Sequence, residues 1–470
     1  MTTQALAADY QQRVDDLLEQ YRAIPSGAPV RLAKATSNLF RPRQSATAGL
    51  DVSGFSGVLR IDEQARTAEV LGMTTYEDLV AATLPHGLVP LCVPELRTIT
   101  LGGAVTGLGI ESPSFRNGCP HESVLEMDIL TGSGEVVTAT ATNEHAELFH
   151  AFPNSYGSLG YALRLVIELE PVQPYVHLRH IQVGSATEAA ALIAEVAGPR
   201  GGVPEFDGER VDYLDGTVFA DDRIVLTLGS YAAELPVGRR ASDYTGDGIY
   251  YRSIEAAGPA GGDDYLTIAD YIWRWDTDWF WCSRAFGVQR PGVRRLWPDR
   301  WKRSDVYWKL VALDRRYQLS DRLHRARGLP RREQVVQDIE VPLDRLAEFL
   351  DFFHREVGIE PVWLCPLRQR DPEAVWTSYE LDPDVMYVNV GFWSTVPLPD
   401  GTDPNEGVVN RAIEAEVTRL GGRKSLYSTA FYEREEFDRL YGGAVRGRLR
   451  RQYDPSGRLA DLFEKVVTAP

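Results

Sequence analysis

The sequence has few cysteines and no long hydrophobic run. Four cysteines occur in 470 residues, far apart and without a Cys-x-x-Cys pair: Cys92, Cys119, Cys282 and Cys365. This spacing argues against a disulfide scaffold and a zinc site, so we predict no metal. The longest stretch without a charged residue, Leu79 to Pro94, is interrupted by Pro85, Gly87 and Pro90. That interruption excludes a transmembrane helix.

The N-terminus has no pattern typical of a secretory leader. Residues 1–25 carry several acids, two arginines, and leucines at helical spacing, which predicts a short surface helix. We therefore expect a cytoplasmic protein with reduced thiols, which also binds peripherally at the inner face of the membrane.

Positive charge is scarce overall but concentrated in one segment. The net charge is −17, yet residues 284–332 carry 15 Lys/Arg and 4 Asp/Glu, a local charge of +11. An acidic chain repels nucleic acid, so no nucleic-acid partner is expected. Because Trp297, Trp301 and Trp308 are interleaved with arginines, the segment suits an anionic lipid surface. The second interpretation is a pair of arginine-rich helices packed on the acidic body.

Hydrophobic periodicity predicts an α+β protein without a doubly wound sheet. Two hairpins are expected, over 58–71 and 124–140, and Thr74 to Glu77 has the spacing of a capping box. Further strands are predicted at 335–341, 361–366 and 385–391, and further helices at 343–353 and 408–420.

The same patterns divide the chain into four parts. We predict an N-terminal helix over 1–28, a first α+β domain over 29–175 and a second over 176–430, which contains the basic segment 284–332. The last part, 431–470, is expected to pack back on the first domain.

Glycine is densest between Pro94 and Gly118. Closely spaced glycines let the backbone approach a ligand and direct N–H groups at phosphate oxygens, although such a run alone is also typical of a structural turn. No lysine follows as a P-loop requires, and Ser112 replaces the third glycine of a dinucleotide fingerprint. Two further polar loops, Lys34 to Phe40 and Asn154 to Gly160, accompany the cluster and favour one extended ligand site.

These three loops resemble the FAD-binding (PCMH-type) domain of the vanillyl-alcohol-oxidase-type flavoproteins. Within that family the chain is similar to the delta-24-sterol reductases, and the resemblance rests on Pro94-Glu-Leu, Thr100-Leu-Gly-Gly, Gly107-x-Gly-Ile-Glu-Ser112, Gly157-Ser-Leu-Gly160, Val335-Val-Gln-Asp338, Trp363-Leu-Cys-Pro366 and Arg434-Glu-Glu-Phe437. Three more phrases resemble bacterial flavoenzymes that reduce a 10-methylene fatty acyl chain to the 10-methyl (tuberculostearate-type) product: Val211-Asp-Tyr-Leu-Asp-Gly216, Ser242-Asp-Tyr-Thr-Gly246 and Trp273-Arg-Trp-Asp-Thr-Asp-Trp-Phe-Trp-Cys282.

The resemblance implies a two-subdomain FAD-binding domain followed by an α+β substrate (cap) domain. It assigns FAD to residues of the three loops: Lys34, Ala35, Thr36, Ser37, Asn38, Leu101, Gly102, Gly103, Ala104, Thr106, Gly109, Ile110, Glu111, Ser112, Gly118, Ser155, Tyr156, Gly157, Ser158 and Gly160. Their hydroxyl, amide and N–H groups can solvate a pyrophosphate without a fixed positive charge. Residues 34–43 contain no histidine, so non-covalent FAD is expected. His121, just after the second loop, is a further candidate for flavin attachment or proton transfer. The alternative is that this histidine has only a structural role.

The resemblance implies the reduction of an isolated lipid C=C bond. NADPH that binds transiently would supply the electrons, or a partner reductase would supply them instead. Such a bond has no adjacent carbonyl, so its reduction needs an acid, an apolar channel and rings that tolerate positive charge. The candidate acids and their neighbours are Asp338, Glu340, Tyr427, Lys424 and Asp276. The candidate channel residues are Trp273, Trp275, Trp279, Trp281 and Trp363. The alternative for the tryptophans is an aromatic stripe in the core or facing a membrane. The alternative for the acids on the strand is an ion pair with an arginine such as Arg368 or Arg370.

Three other functions stay open: delta-24-sterol-reductase-like activity, an FAD oxidase or dehydrogenase of an alcohol or sugar, and a flavin-bearing lipid-binding subunit of a methyltransferase complex. The expected partners are a lipid acyl substrate, an anionic membrane surface and a methyltransferase.

Overall fold

The computed structural model describes residues 3–34, 39–41, 49–317 and 329–467, with only the helical backbone for 3–8 and 312–317. Its helices are Thr3–Ala23 (α1), Tyr76–Thr83 (α2), Leu101–Gly107 (α3), Ser114–Asn117 (α4), Ala146–Ala151 (α5), Ala186–Ala197 (α6), Tyr250–Ala256 (α7), Ile268–Trp273 (α8), Pro291–Leu296 (α9), Ser304–Tyr317 (α10), Leu346–Glu356 (α11), Val408–Arg419 (α12), Arg434–Leu440 (α13), Gly443–Tyr453 (α14) and Leu462–Val466 (α15).

The strands are Leu32–Ala33 (β1), Leu50–Asp51 (β2), Val58–Asp62 (β3), Thr67–Leu71 (β4), Leu88–Pro90 (β5), Val124–Leu130 (β6), Val136–Thr140 (β7), Tyr161–Pro171 (β8), Tyr175–Val183 (β9), Glu205–Phe206 (β10), Glu209–Arg210 (β11), Tyr213–Ala220 (β12), Arg223–Ala232 (β13), Gly262–Thr267 (β14), Arg332–Pro342 (β15), Val362–Leu367 (β16), Tyr387–Pro397 (β17) and Arg423–Lys424 (β18). This mixture confirms the predicted α+β class.

The first large sheet has six strands in the order β3-β4-β8-β6-β7, with β5 also paired to β8. Strand β8 alternates buried Leu163, Leu165 and Ile167 with half-buried Arg164 and Val166, as expected for a strand covered more deeply on one face. Helices α2, α3 and α5 contribute to the same hydrophobic core. Both predicted hairpins, β3-β4 and β6-β7, are confirmed.

The second large sheet has eight strands in the order β14-β9-β13-β12-β16-β17-β15-β18. Its central strands alternate cleanly between two faces. Helices α6, α11 and α12 cover the face that carries Ile339, Leu364 and Val390. The opposite face carries Asp338, Trp363 and other residues that line the cavity described below.

The chain passes from one sheet to the other between the end of β8 at Pro171 and the start of β9 at Tyr175. The C-terminal segment returns to the N-terminal half, where the N–H of Val30 donates to the carbonyl of Arg458 at 2.9 Å and that of Ser133 to Tyr453 at 2.8 Å. The exact extent of the four predicted parts stays a prediction.

Two local predictions need correction. Helix α2 is capped by Thr75, whose hydroxyl accepts from the N–H of Asp78 at 3.1 Å, so the predicted capping box at Thr74 is wrong by one residue. Thr74 is buried and donates instead to the carbonyl of Leu71 at 2.6 Å. The predicted loop between Pro94 and Gly118 contains the short helices α3 and α4.

The described part of the basic segment is partly neutralised by the body of the protein. Arg294 lies 2.8 Å from Asp278, and Arg303 lies 2.7 Å from Glu77. These ion pairs fit the interpretation that the segment packs on the acidic body. Within the described ranges, no helix combines the length and apolarity needed to cross a bilayer.

Candidate functional site

A cavity of about 1120 Å³ is lined by residues of both large sheets and of the C-terminal segment. Pockets for small molecules and cofactors usually measure about 300–1,000 Å³, so this cavity is large enough for a cofactor.

Glycines let the backbone reach the cavity wall beside α3. A Cβ on Gly102 would lie 2.7 Å from the carbonyl oxygen of Gly72, and one on Gly103 would lie 2.8 Å from Oγ1 of Thr100. Nζ of Lys34 donates to the same Thr100 hydroxyl at 3.3 Å. Both positions require glycine because a side chain would collide with neighbouring protein atoms, and this close packing places the backbone of α3 at the cavity wall near the Lys34 cation.

Half of the residues predicted to hold FAD line this cavity. They are Lys34, Gly102, Gly103, Ala104, Thr106, Gly109, Ile110, Glu111, Tyr156 and Gly157. They come from the three predicted loops, so the fold brings those loops together.

Other residues of that prediction lie away from the cavity wall: Leu101, Ser112, Gly118, Ser155, Ser158 and Gly160. Ser112 shares a hydrogen bond of 2.8 Å with the hydroxyl of Tyr271. Gly160 allows β8 to pass β6, because a Cβ there would lie 2.5 Å from Cγ2 of Ile129. Ala35, Thr36, Ser37 and Asn38 lie outside the described residues.

One end of the cavity is cationic. It is lined by Arg31, Arg41, Arg450, Arg458 and Lys465. Sequence reasoning missed these residues because they come from distant segments and belong to no motif. One indication of Arg450, Arg458 and Lys465 was present in the sequence, namely the expectation that residues 431–470 pack back on the first domain. The cavity therefore presents positive charge to a ligand, in addition to the loop groups that were predicted to solvate a pyrophosphate.

A second part of the cavity lining, the aromatic end, is a wall of aromatic rings. The ring of Phe280 lies 5.3 Å from that of Trp363 and 4.6 Å from that of Trp393, and Trp279 stacks on Phe40 at 5.8 Å. Trp279 and Phe280 have positive φ angles of 47° and 58°. Two consecutive bulky residues in the left-handed region are costly, and such strain is commonly retained at functional sites.

Strand register brings an acid to this wall. Asp338 on β15 lies opposite Gly391 on β17, which lies opposite Trp363 on β16. Neighbours across a sheet share a face, so the carboxyl and the indole both face the cavity. A Cβ on Gly391 would lie 2.4 Å from Oδ1 of Asp338, so only glycine leaves room for this carboxyl.

Burial raises the pKa of Asp338 to about 7, although Asn389 and Tyr427 partly oppose the shift. At neutral pH the carboxyl is therefore divided between its acid and its base form, as proton transfer requires. Tyr427 also lines the cavity, and its hydroxyl accepts a hydrogen bond from Nε1 of Trp393 at 3.0 Å. Burial raises the pKa of Tyr427 well above its usual value, so this phenol stays protonated.

The other predicted acids and bases lie outside the cavity lining. Nζ of Lys424 pairs with the buried Glu414 at 2.8 Å. Glu340 accepts from the hydroxyl of Ser425 at 3.2 Å, and burial raises its pKa well above the usual range. Asp276 accepts from the N–H of Arg97 at 3.1 Å and from Ser304. Arg368 and Arg370 do not pair with Asp338 or Glu340; Arg368 donates to the carbonyl of Gly198, and Arg370 pairs with Glu168 on β8.

Of the five tryptophans predicted to form a substrate channel, some line the cavity and others do not. Trp279 and Trp363 line the cavity. Trp275 stacks on Phe280 at 4.8 Å, and Trp281 lies 5.5 Å from Trp393, so both support the wall from behind. Trp273 packs under the guanidinium of Arg97 at 4.9 Å.

A buried charge cluster joins the cavity wall to the second sheet. Arg274 contacts Glu95 and lies 2.8 Å from Asp215, and the N–H of Glu95 donates to Glu111 at 2.9 Å. Burial raises the pKa of Glu111 to about 8 and that of Glu95 well above its usual value. The carboxyls of Glu95 and Glu111 therefore retain their protons at neutral pH, beside the Arg274 guanidinium. Of these residues, sequence reasoning identified Glu111 alone.

His121 is buried against the ring of Trp376 at 4.5 Å and lies outside the cavity lining. Burial lowers its pKa to about 3, so the imidazole is neutral. Its position fits a structural role. The part of the chain that the structure describes contains no group of three or more His, Cys, Asp or Glu that could hold a metal ion.

The residues at the cavity fit FAD. Glycine backbone and cations can face phosphate oxygens, and the volume is large enough for a cofactor. The buried amide of Asn389 also lines the cavity, where it interacts with the Asp338 carboxyl and offers a donor and an acceptor to the polar edge of a heterocycle.

Comparison with known proteins points to the same cofactor. Residues 10–140 match the family model of an FAD binding domain, which spans α1 to β7. The chain is 24% identical over 439 residues to Delta(24)-sterol reductase of Pisum sativum and 26% identical over 449 residues to that of Arabidopsis thaliana. The human Delta(24)-sterol reductase is 23% identical over 423 residues. Each of the three matches covers 88% of this chain and 76% of the relative.

A shorter match joins the chain to Cytokinin dehydrogenase 2 of Oryza sativa subsp. japonica, with 29% identity over 170 residues. It covers 36% of this chain and 30% of the relative. The protein therefore carries an FAD-binding domain of the oxidoreductase type and is related along most of its length to the Delta(24)-sterol reductases.

Proposed function

We propose that this protein is an FAD-dependent reductase of an isolated lipid C=C bond, with the 10-methylene group of a fatty acyl chain as substrate and NADPH as reductant. The observation that carries the proposal is Asp338, a buried acid with a pKa raised to about 7, in an aromatic wall that belongs to the cavity expected to hold FAD. The similarity to reductases named for a C=C bond along 88% of the chain supports the reaction class.

Bound FAD would supply the hydride-transfer chemistry, and the chain's own residues would supply the proton. The protonated form of Asp338 would donate its proton to the terminal methylene carbon, because an isolated alkene gives no stabilised carbanion. Tyr427 and Asn389 would orient the carboxyl, since both oppose the rise of its pKa and line the same cavity.

The aromatic wall would stabilise the positive charge that develops at the branched carbon. Ring faces attract cations within about 6 Å, with about 0.5–2 kcal/mol for each well-placed ring. Trp279, Phe280, Trp363 and Trp393 are the rings available at this end. Their apolar bodies would also exclude water from the acyl chain.

The choice of a fatty acyl substrate over a sterol rests on the phrases at Val211–Gly216, Ser242–Gly246 and Trp273–Cys282. The third phrase supplies Trp279 and Phe280 to the cavity, and Trp275 supports them from behind. Reduction of a sterol side chain is the second candidate, because the relatives that cover most of the chain are named for it.

Anaerobic half-reactions test the proposal. We expect NADPH to bleach the bound flavin and a 10-methylene acyl lipid to restore its absorbance. Recovery with a 24-ene sterol alone would transfer the proposal to the sterol. Bleaching by an alcohol or sugar but not by NADPH would reject the reductase in favour of an oxidase or dehydrogenase.

A methyltransferase that makes the methylene lipid is the proposed partner. Cells that express both proteins should accumulate the 10-methyl lipid, detected by mass spectrometry. Methylene lipid that persists beside FAD-loaded protein would favour the non-catalytic subunit instead.

We also propose that the basic segment binds an anionic membrane surface. Leu296 is 85% exposed and Trp301 is 46% exposed, between the exposed arginines Arg290, Arg295 and Arg300. Vesicles with anionic lipid should sediment the protein at low salt but not at high salt. Arg295→Glu combined with Trp301→Ala should abolish this binding. Arg294 is a poor choice for the test, because it pairs with Asp278.

A further inference from the structure

Lys465 and Arg450, at the cationic end of the cavity, have N–H groups that the described protein contacts do not use. Nζ of Lys465 donates to the carbonyl of Tyr156 at 2.8 Å, and a protonated ammonium has two further N–H groups. Nη1 of Arg450 is buried without a hydrogen-bond partner among the described residues and lies 4.0 Å from Asp461. The guanidinium of Arg41 lies over the ring of Tyr156 at 4.9 Å and contacts the carbonyl of Lys465.

Several elements bring charged groups to Lys465. Arg41 directly follows Phe40 of the aromatic wall, Arg31 precedes β1, Arg450 lies on α14, and Arg458 lies between α14 and α15. The acids of its own segment are Asp461 and Glu464, and both line the cavity. A third acid, Asp454, lies 3.6 Å from Arg450. The five cations at this end still outnumber the three acids, so this end of the cavity attracts an anion.

We propose that Lys465, Arg41 and Arg450 form a binding site for the phosphate of a dinucleotide, either the diphosphate of FAD or a phosphate of NADPH. The cavity is the one expected to hold FAD, and both ligands carry a diphosphate that charge-assisted hydrogen bonds would stabilise. The NADPH source rests on the proposed function, whereas the FAD source rests on the matched FAD binding domain alone.

Because Lys465 can gain or lose a proton near neutral pH, the affinity of this site for a phosphate should depend on pH. Burial, together with Arg41, Arg450 and Arg31, lowers the pKa of Lys465 to about 7, while Asp461 opposes the shift. A bound phosphate would raise this pKa again, so binding above pH 7 takes up one proton. Affinity should therefore fall as pH rises above about 7, by up to about tenfold per pH unit.

Equilibrium binding of FAD to flavin-free protein between pH 6 and pH 9 tests the site without any turnover. The wild-type dissociation constant should be flat below about pH 7 and rise above it. Lys465→Met should weaken FAD binding at pH 6 by about tenfold and remove the pH dependence. Lys465→Arg, which stays charged, should bind like wild type at pH 6 and show no rise to pH 9.

Lys309→Met is the matched control, because Lys309 is 75% exposed in the basic segment. It should bind FAD like wild type at every pH. The same titrations with NADP⁺ on FAD-loaded protein identify the source of the phosphate. If the Lys465 variants remove the pH dependence of the NADP⁺ dissociation constant but not that of FAD, the site binds the reductant. The proposal is overturned if both dissociation constants change less than twofold in Lys465→Met, or if Lys465→Arg keeps the wild-type slopes.

Discussion

The two ends of the cavity use burial in opposite ways. At the aromatic end, burial raises the pKa of the Asp338 carboxyl to about 7. At the cationic end, burial and neighbouring cations lower the pKa of the Lys465 ammonium to about 7. Both groups are thus brought towards their neutral forms, one able to give a proton to a substrate and the other able to take one up with a ligand. Asp338 and Lys465 therefore serve different tasks in one cavity, proton transfer and anion binding, because different residues surround them.

The largest expected effect comes from Asp338→Asn. Loss of a positioned general acid costs about 10²–10⁴ in rate, so reoxidation of reduced flavin by the alkene should slow by that factor. FAD affinity, which depends on the other end, should stay within about twofold. Glu340→Gln, outside the cavity lining, is the comparison and should slow the reaction far less. Equal losses in both variants would contradict the role of Asp338.

The pH dependence separates the two ends further. The acid form of Asp338 is the reactive one, so at saturating FAD the alkene-dependent rate should be constant well below pH 7. Above pH 7 it should fall by up to about tenfold per pH unit. Stopped-flow absorbance of the flavin measures this rate. Lys465→Arg should keep that profile while it removes the pH dependence of ligand binding; a change in the rate profile would show that the two ends are coupled.

An intermediate effect is expected for Gly391→Ala. The added Cβ would lie 2.4 Å from Oδ1 of Asp338 and 2.9 Å from the ring of Trp393. Overpacking of this kind costs about 1–3 kcal/mol of folding stability, and displacement of the acid should also lower the rate. Thermal unfolding and the alkene half-reaction measure the two consequences. Gly447→Ala on α14 is the control, because the nearest atom, Nη1 of Arg451, is 3.7 Å away and helical alanine is favourable.

The smallest effect is expected from the rings. Trp363→Leu removes a face at the aromatic end and should cost about 0.5–2 kcal/mol of transition-state stabilisation. Trp281→Leu removes a ring behind the wall and should act mainly on stability. A comparison of rate with melting temperature distinguishes them, and equal rates in the two variants would argue against a role for ring faces.

Local patterns predicted most of the fold. The hairpins at β3-β4 and β6-β7 and the helices α11 and α12 follow from alternation and helical spacing, which involve neighbouring residues alone. The short helix α3 was missed because glycine disfavours helices, and its Thr100 cap, which accepts from the N–H of Gly103 at 3.2 Å, was not recognised in the motif.

The site was predictable only where a motif carried it. The glycine loops drew attention to Gly102 and Gly103, and the strand around Asp338 was visible as a strand with an acid. That Gly391 lies between Asp338 and Trp363 depends on the register of three strands, which no local pattern specifies. Arg41 and Lys465 are 424 residues apart, so their meeting follows from the tertiary fold alone.

The contact between Val30 and Arg458 has a consequence for biosynthesis. A ribosome makes the glycine loops early, whereas the wall formed by residues 457–466 exists only after those residues have emerged. A nascent chain that ends before residue 457 would therefore leave the cofactor cavity open on its cationic side.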